Sequence, residues 1–124
     1  MKKALLALMV LFLLTATCWA QEKGASKGQD VTITGKLTCT FCNLATPSKA
    51  CNKACCQDCI KAGDPALLTD AKGSLYILLT GEQMKPLMTP ERMDMLESQV
   101  TVTGILVKRG GLEGIYVKKM EKAK

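Results

Sequence analysis

Six cysteines lie close together in the middle of the chain, and their thiols could bind metal ions or form disulfides. They are Cys39, Cys42, Cys51, Cys55, Cys56 and Cys59. The first two and the last two each have the spacing Cys-x-x-Cys. Such a turn lets two thiolates converge on one metal ion, and two such turns can complete a tetrahedral sulfur site. The crowding therefore indicates either a thiolate metal site or a set of disulfides.

The spacing of the later cysteines favours convergence on a metal ion. A Pro-Ser pair and a later Gly-Asp-Pro sequence predict a helix over 49–62. On that helix Cys51, Cys55 and Cys59 recur every four residues and share one face. Their Cβ atoms would lie about 5–6 Å apart, beyond the roughly 3.5–4.5 Å that a disulfide requires. These cysteines could therefore bind a metal or bond across to the first pair, whereas Cys56 is expected to point elsewhere.

The beginning of the chain is typical of a secretory signal peptide. Two lysines follow the first Met, residues 4–14 form an unbroken apolar run, and small residues come next. This run is too short to cross a bilayer, and the order basic, apolar, small is that of a cleaved signal. We therefore expect removal of residues 1–20, a periplasmic or secreted protein, and no transmembrane segment after cleavage. A lipoprotein acylated at Cys18 is the lesser alternative, because the residues before it suit acylation poorly.

We expect four of the sulfurs to bind one soft metal ion. These ligands come from the end of the first strand and from the helix, and they are Cys39, Cys42, Cys55 and Cys59. Cys51 and Cys56 would then form a disulfide or serve as additional ligands. An all-thiolate set suits zinc, Cu(I) or an iron–sulfur cluster. Because such clusters are normally assembled inside the cell, the expected cofactor is zinc or Cu(I).

Structural disulfides are the main alternative to a metal. They are the ordinary explanation for six cysteines in an oxidising compartment, and the chain would then be a disulfide-stapled binding domain without metal. A thiol–disulfide oxidoreductase is a third hypothesis, with Cys39 and Cys42 or Cys56 and Cys59 as the redox pair. It is the least favoured, because the second pair is expected near a helix C-terminus, where the dipole disfavours a thiolate.

The composition excludes several other classes of function. The chain has 124 residues and no histidine, which removes imidazole-assisted hydrolases, histidine-containing metal sites and c-type haem attachment. Aromatic residues make up 4 % of the chain, too few for a base-stacking nucleic-acid surface. We therefore expect a binding or carrier module and not an enzyme. Its expected partners are the metal ion and another exported protein, with no nucleic acid.

The elements around the cysteines predict a small β-barrel. Polar residues 21–29 are expected to form a disordered leader, and order is expected from Asp30. Alternating apolar and β-branched residues predict five strands, with a cysteine-rich insertion at 38–64 after the first strand and one helix between the third and fourth. This order is typical of an OB-like Greek-key barrel, all-β with short helices. The domain is expected over 30–121, followed by a basic tail at 122–124.

Glycines, cysteines and apolar pairs along most of the chain occur in an order that is shared with a known family. The matching residues, spread over 31–121, are Gly35, Cys42, Cys55, Cys59, Ile60, Gly63, Pro65, Leu67, Leu68, Leu75, Tyr76, Val102, Thr103, Gly104, Arg109, Gly110, Gly111 and Leu112. On these residues the chain resembles a family of small exported bacterial proteins with an OB-like barrel and a cysteine-bearing insertion after the first strand. Members commonly carry a histidine three positions before the first matching helical cysteine, which implies a mixed cysteine and histidine metal site. Here that position is Asn52, so the resemblance implies metal binding without histidine, with Cys51 as a candidate substitute ligand.

Overall fold

The computed structural model describes residues 28–44 and 51–124, which form five strands and three short helices. The strands are β1 (Gln29–Cys39), β2 (Ala66–Asp70), β3 (Leu75–Thr80), β4 (Gln99–Arg109) and β5 (Leu112–Lys122). The helices are α1 (Thr40–Leu44), α2 (Lys53–Lys61) and α3 (Pro90–Met93). The predicted strand order, with the cysteine-rich segment between the first two strands, is confirmed.

The five strands close into a barrel. Around the barrel the order is β1-β2-β3-β5-β4, and β4 pairs with β1 to complete the circle. Neighbours are antiparallel except for β3 and β5, which are parallel. β1 is long enough to pair with two strands, with β4 along its first part and with β2 along its last part. The predicted all-β, OB-like barrel with a helical insertion is therefore observed.

Two glycines lie where the strands approach most closely. A Cβ atom at Gly35 would collide with the carbonyl oxygen of Thr69, and one at Gly104 would collide with that of Tyr116. β1 changes its pairing partner around Gly35, and the register of β4 against β5 shifts between Thr103 and Gly104. Glycine inside a strand permits this close approach because it has no side chain.

Apolar side chains from the strands and from the insertion share one core. The fully buried members of this core include Leu37, Leu68, Leu96, Val100, Val102, Ile115, Cys39 and Cys56. Burying one such leucine or isoleucine stabilises the fold by roughly 1.5–3 kcal/mol. Because three buried cysteines, Cys39, Cys42 and Cys56, belong to this core, the cysteine-rich insertion packs directly on the barrel.

α2 begins later than the sequence predicts. The expected helix spans 49–62, whereas α2 begins at Lys53. Asn52 is the N-cap, and its side-chain oxygen accepts a hydrogen bond from the Cys55 N–H at 2.8 Å. The N-cap is the residue immediately before the first residue of a helix, so α2 cannot begin earlier than Lys53. The predicted common helical face of three cysteines is therefore wrong for Cys51, which precedes the cap.

The C-terminal end of α2 matches its sequence signal. Gly63 has a φ of +105°, and its N–H donates to the carbonyl oxygen of Ile60 at 3.0 Å. The Asp64 N–H donates to the carbonyl oxygen of Cys59, also at 3.0 Å. These paired hydrogen bonds form a Schellman motif, in which glycine is favoured because positive φ strains residues that carry a Cβ.

α3 is shorter than predicted. It begins as expected, with Thr89 as the N-cap and Pro90 as its first residue. The sequence predicts that it continues to about Ser98, but the helix ends at Met93. The chain then turns through Glu97, which has a φ of +63°. A non-glycine residue with this φ cannot continue a right-handed helix.

The ends of the expected domain are only partly described. The predicted signal peptide at 1–20 and most of the leader at 21–29 fall outside the described residues. β1 begins at Gln29, one residue before the expected start, and β5 includes Lys122, the first residue of the expected tail. Within 28–44 and 51–124, no helix has the length and apolar character needed to cross a membrane.

Candidate metal centre

All six cysteines of the cluster lie on consecutive segments from the end of β1 to the end of α2. Cys39 ends β1, Cys42 lies in α1, and Cys51 immediately precedes the N-cap of α2. The other three lie within α2. Strand, helix and loop therefore contribute sulfurs to one region from different directions.

α1, which the sequence does not predict, is held in place by the residues that follow α2. The N–H and the hydroxyl of Thr40 both donate to the carbonyl oxygen of Pro65, at 3.0 and 2.8 Å. The Phe41 N–H donates to Asp64 Oδ2 at 2.8 Å. These hydrogen bonds connect the start of α1 to the end of α2, so Cys42 is fixed close to the α2 cysteines.

Four sulfurs form what we call the inner group. Its members are Cys39, Cys42, Cys51 and Cys56, and their Sγ atoms all lie within 4.8 Å of one another. Three of these side chains are buried and Cys51 is half-buried. The Cys51 sulfur lies 2.7 Å from Cys42 Sγ and 3.2 Å from Cys56 Sγ. Sulfurs bound tetrahedrally to zinc, each about 2.3 Å from the ion, lie about 3.8 Å apart, so small adjustments would fit four of them around one ion.

Three sulfurs form a second, outer group. Its members are Cys42, Cys55 and Cys59, with Sγ atoms again within 4.8 Å of one another. Cys42 Sγ and Cys55 Sγ are 3.7 Å apart, close to the spacing expected around zinc. Cys55 is exposed and Cys59 is half-buried, so this group lies nearer to solvent than the inner group.

The two groups divide the four ligands that the sequence favours. Cys39 belongs to the inner group, Cys55 and Cys59 belong to the outer group, and Cys42 belongs to both. The two cysteines that the sequence leaves as additional ligands complete the inner group. Cys56, which is expected to point away from the other cysteines of its helix, does lie apart from Cys55 and Cys59. The expectation is wrong with respect to Cys51, because the sulfurs of Cys51 and Cys56 are 3.2 Å apart.

No two sulfurs of the described cysteines are bonded to each other in the structure. Cys42 and Cys51 give a sulfur–sulfur distance of 2.7 Å, whereas a disulfide bond is about 2.05 Å long. The three disulfides of the main alternative are therefore not formed in this arrangement. The sulfurs instead lie as a contiguous cluster.

The environment of the inner group favours protonated thiols in the absence of a cation. Burial raises the pKa of Cys39 and of Cys56. The pKa of Cys42 is raised strongly, first by its hydrogen bond with Cys51 and then by burial. Burial also raises the pKa of Cys51, to about 11. A bound cation would supply the positive charge that allows these thiols to lose their protons.

Glu97 links the inner group to the barrel. Its Oε1 accepts hydrogen bonds from the Thr38 hydroxyl at 2.8 Å and from Cys56 Sγ at 3.2 Å. Its Oε2 forms an ion pair with Lys36 Nζ at 2.6 Å. Burial acts to raise the pKa of Glu97, but the hydrogen bonds from Lys36, Thr38 and Cys56 outweigh it and lower the pKa. An ionised carboxylate therefore lies directly beside one sulfur of the cluster.

Sequence reasoning missed Glu97 because no local signal identifies it. It lies 41 residues after Cys56, beyond a helix that was expected to be longer. Its backbone N–H donates to the carbonyl oxygen of Leu37 at 2.8 Å, which holds the turn against β1. Positive φ costs an ordinary residue about 1 kcal/mol or more, so tertiary contacts maintain this conformation.

The position of Cys56 also changes the assessment of thiol redox chemistry. The sequence places Cys56 near a helix C-terminus, whereas it lies four residues after the N-cap of α2. There the helix dipole favours a thiolate, opposite to the expectation. Burial nevertheless raises the pKa of Cys56 and of Cys39, and an attacking cysteine needs a lowered pKa. The pKa of Cys42 is raised as well. Both cysteines of the first Cys-x-x-Cys pair and one of the second therefore do not meet this requirement.

The cluster as a whole is well suited to hold soft cations through sulfur. Comparison of the chain with protein-family models, with curated proteins and with solved structures finds no match. The functional interpretation therefore depends on the geometry of the cluster.

Proposed function

We propose that the protein is a small exported binding or carrier module that holds a soft metal ion, zinc or Cu(I), through cysteine thiolates. The observation that carries this proposal is the inner group, in which four sulfurs lie within 4.8 Å of one another. Four sulfurs are the complete ligand set of a structural zinc site. Thiolates also select Cu(I) over harder cations.

The position of the ligands supports a role for the metal in ordering the insertion. β1 and α1 each contribute one sulfur of the inner group. The other two belong to Cys51, just before α2, and to Cys56, within α2. An ion bound to all four would cross-link these segments to the barrel. Such a preformed site is absent from an unfolded chain, so the free energy of metal binding contributes to folding.

Binding, and not catalysis, is the role that a four-sulfur group favours. A tetrahedral site filled by protein ligands leaves no position at which a substrate could reach the ion. We therefore propose no enzymatic activity, and the low aromatic content gives no reason to expect a nucleic-acid partner.

Export is part of the proposal. The basic, apolar and small residues at 1–20 support a periplasmic or secreted location, in line with the resemblance to small exported bacterial proteins. A second exported protein that delivers or receives the ion is the expected macromolecular partner. Acylation at Cys18 remains the lesser alternative.

The decisive experiment measures metal content and thiol state in protein isolated from the compartment in which it accumulates. Native mass spectrometry is expected to show an excess mass of zinc or copper that disappears on denaturation. At least four cysteines are expected to react with an alkylating agent after denaturation without reductant. Disulfides in place of these thiols, with no bound metal, would overturn the proposal.

Substitutions in α2 and before it provide matched controls. Cys51→Ser removes a half-buried ligand of the inner group, outside any helix, and is expected to lower metal retention. Ala54→Ser places the same side chain at an exposed position of α2 and is expected to retain the metal. Equal retention by the two variants would contradict the assignment of Cys51 as a ligand.

A disulfide-stapled binding domain is the second candidate, and one observation favours it. Cys42 and Cys51 lie closer than nonbonded contact, at 2.7 Å, so this pair would need the smallest movement to form a bond. Peptide mapping without reduction tests this candidate directly, because a peptide pair linked through these two cysteines would identify the bond.

A further inference from the structure

Cys42 is the one residue that the inner and outer groups share. Its sulfur lies 2.7 Å from Cys51 Sγ in the inner group and 3.7 Å from Cys55 Sγ in the outer group. A thiolate sulfur has more than one lone pair and can bridge two soft metal ions. The shared position therefore allows all six sulfurs to act as ligands at the same time.

We propose that the cluster holds two divalent soft cations, such as two Zn²⁺ ions, and that the Cys42 thiolate bridges them. This inference rests on the proposed function and extends it. The first ion would be bound by the four sulfurs of the inner group, and the second by the three sulfurs of the outer group. The second ion therefore accounts for Cys55 and Cys59, which a single inner ion would leave without a role.

Charge balance favours two divalent ions. One divalent cation with four thiolates carries a net charge of about −2, and two such cations with six thiolates carry the same net charge. The second ion and its two further thiolates therefore enter without adding charge to a partly buried site, where uncompensated charge is costly. Two monovalent ions with the same six thiolates would instead leave a net charge of about −4.

The two positions differ in their access to solvent. The inner group is mostly buried and supplies four sulfurs, whereas the outer group supplies three and includes the exposed Cys55. Three protein ligands leave one coordination position open to water or to another ligand. The outer ion is therefore the exchangeable one, and a carrier function would act through it, while the inner ion maintains the fold.

Titration of the metal-free, reduced full chain with Zn²⁺ alone tests this inference by native mass spectrometry. Two zinc ions are expected at saturation, and a competing chelator is expected to remove one at least about tenfold faster than the other. The double variant Cys55→Ser/Cys59→Ser is expected to bind one ion, and Ala54→Ser is expected to bind two. One ion in the unaltered chain would overturn this inference and leave the proposed function intact, whereas no ion would overturn both.

Cadmium NMR tests the bridge itself. With two Cd²⁺ ions bound, two resonances are expected, and scalar coupling between them would arise through the shared Cys42 sulfur. Cys42→Ser is expected to abolish the coupling and the outer ion, with circular dichroism showing that the barrel persists. Two bound ions without coupling in the unaltered chain would refute the bridge. Should Cys42→Ser fail to fold, the coupling in the unaltered chain still decides the question.

Discussion

Replacement of Glu97 by glutamine should destabilise the metal-free protein and strengthen its binding of zinc. In the metal-free protein the carboxylate accepts hydrogen bonds from Thr38 at 2.8 Å and from Cys56 at 3.2 Å. Hydrogen bonds to a charged group contribute about 1.5–3 kcal/mol, compared with about 0.5–1.5 kcal/mol for neutral pairs. The ion pair with the half-exposed Lys36 adds no more than about 1 kcal/mol. We expect Glu97→Gln to lower the free energy of unfolding by about 2 kcal/mol.

Metal binding should offset most of this loss of stability. A metal-bound Cys56 is a thiolate and has no proton to donate, so the Glu97 carboxylate and the sulfur become two negative groups about as close as the 3.2 Å contact. A glutamine amide could instead donate a hydrogen bond to the thiolate. We expect Glu97→Gln to bind zinc at least about tenfold more tightly, which corresponds to about 1.4 kcal/mol.

Two measurements on the same variant check this prediction. Urea unfolding in the presence of chelator and reductant gives the metal-free stability, and competition with a chromophoric chelator gives the zinc affinity. Glu121→Gln is the matched control, because Glu121 forms an ion pair with Lys119 in which both side chains are exposed, and it should change either quantity little. Weaker zinc binding by Glu97→Gln, or unchanged metal-free stability, would refute the role assigned to this carboxylate.

Three further predictions concern the scaffold. Asn52→Ala removes the N-cap of α2, whose side-chain oxygen accepts a hydrogen bond from the Cys55 N–H at 2.8 Å. It should lower the free energy of unfolding, measured with urea, by about 1 kcal/mol. An unchanged free energy of unfolding would contradict the capping role. Met84 is fully exposed and has a φ of +64°. Because positive φ strains a residue with a Cβ, Met84→Gly should stabilise the protein by up to about 1 kcal/mol and raise its thermal unfolding midpoint. A lower midpoint would contradict backbone strain at this position. The pKa of Asp70 is lowered from 3.8, chiefly by the backbone hydrogen bond from Ser74. Its contribution to stability is therefore complete above pH 3.8 and is lost as pH falls through the lowered value. Asp70→Asn should reduce the loss of stability below pH 3.8, and an identical acid profile in the two proteins would count against the assignment.

Elements with a strong local signal were predictable from the sequence. The period-two alternation in β1 and β4 indicates which side chains face the core, and it locates strands without any knowledge of their partners. Gly63 followed by Asp64 and Pro65 predicts the end of α2, because positive φ at Gly63 is a local backbone requirement. The strand order with one intervening helix was sufficient to indicate an OB-like barrel.

Elements that depend on distant partners were not predictable. α1 has no hydrophobic period of its own, and its first turn is stabilised by Asp64, which lies 23 residues after Phe41. A proline and a serine predict an earlier beginning for α2, whereas the observed N-cap is Asn52. That shift moves Cys51 out of the helix and changes which sulfurs it can approach.

The residue types and their spacing by themselves determined the class of chemistry. Six thiols without histidine restrict the site to all-sulfur metal ligation or to thiol–disulfide chemistry, since these outcomes depend on the side chains present. The tertiary structure decided how the six are divided into a buried inner group, an outer group and a shared Cys42. It also placed Glu97 beside Cys56. Such contacts depend on how the barrel closes and how the insertion packs on it, and neither is encoded in the spacing of neighbouring residues.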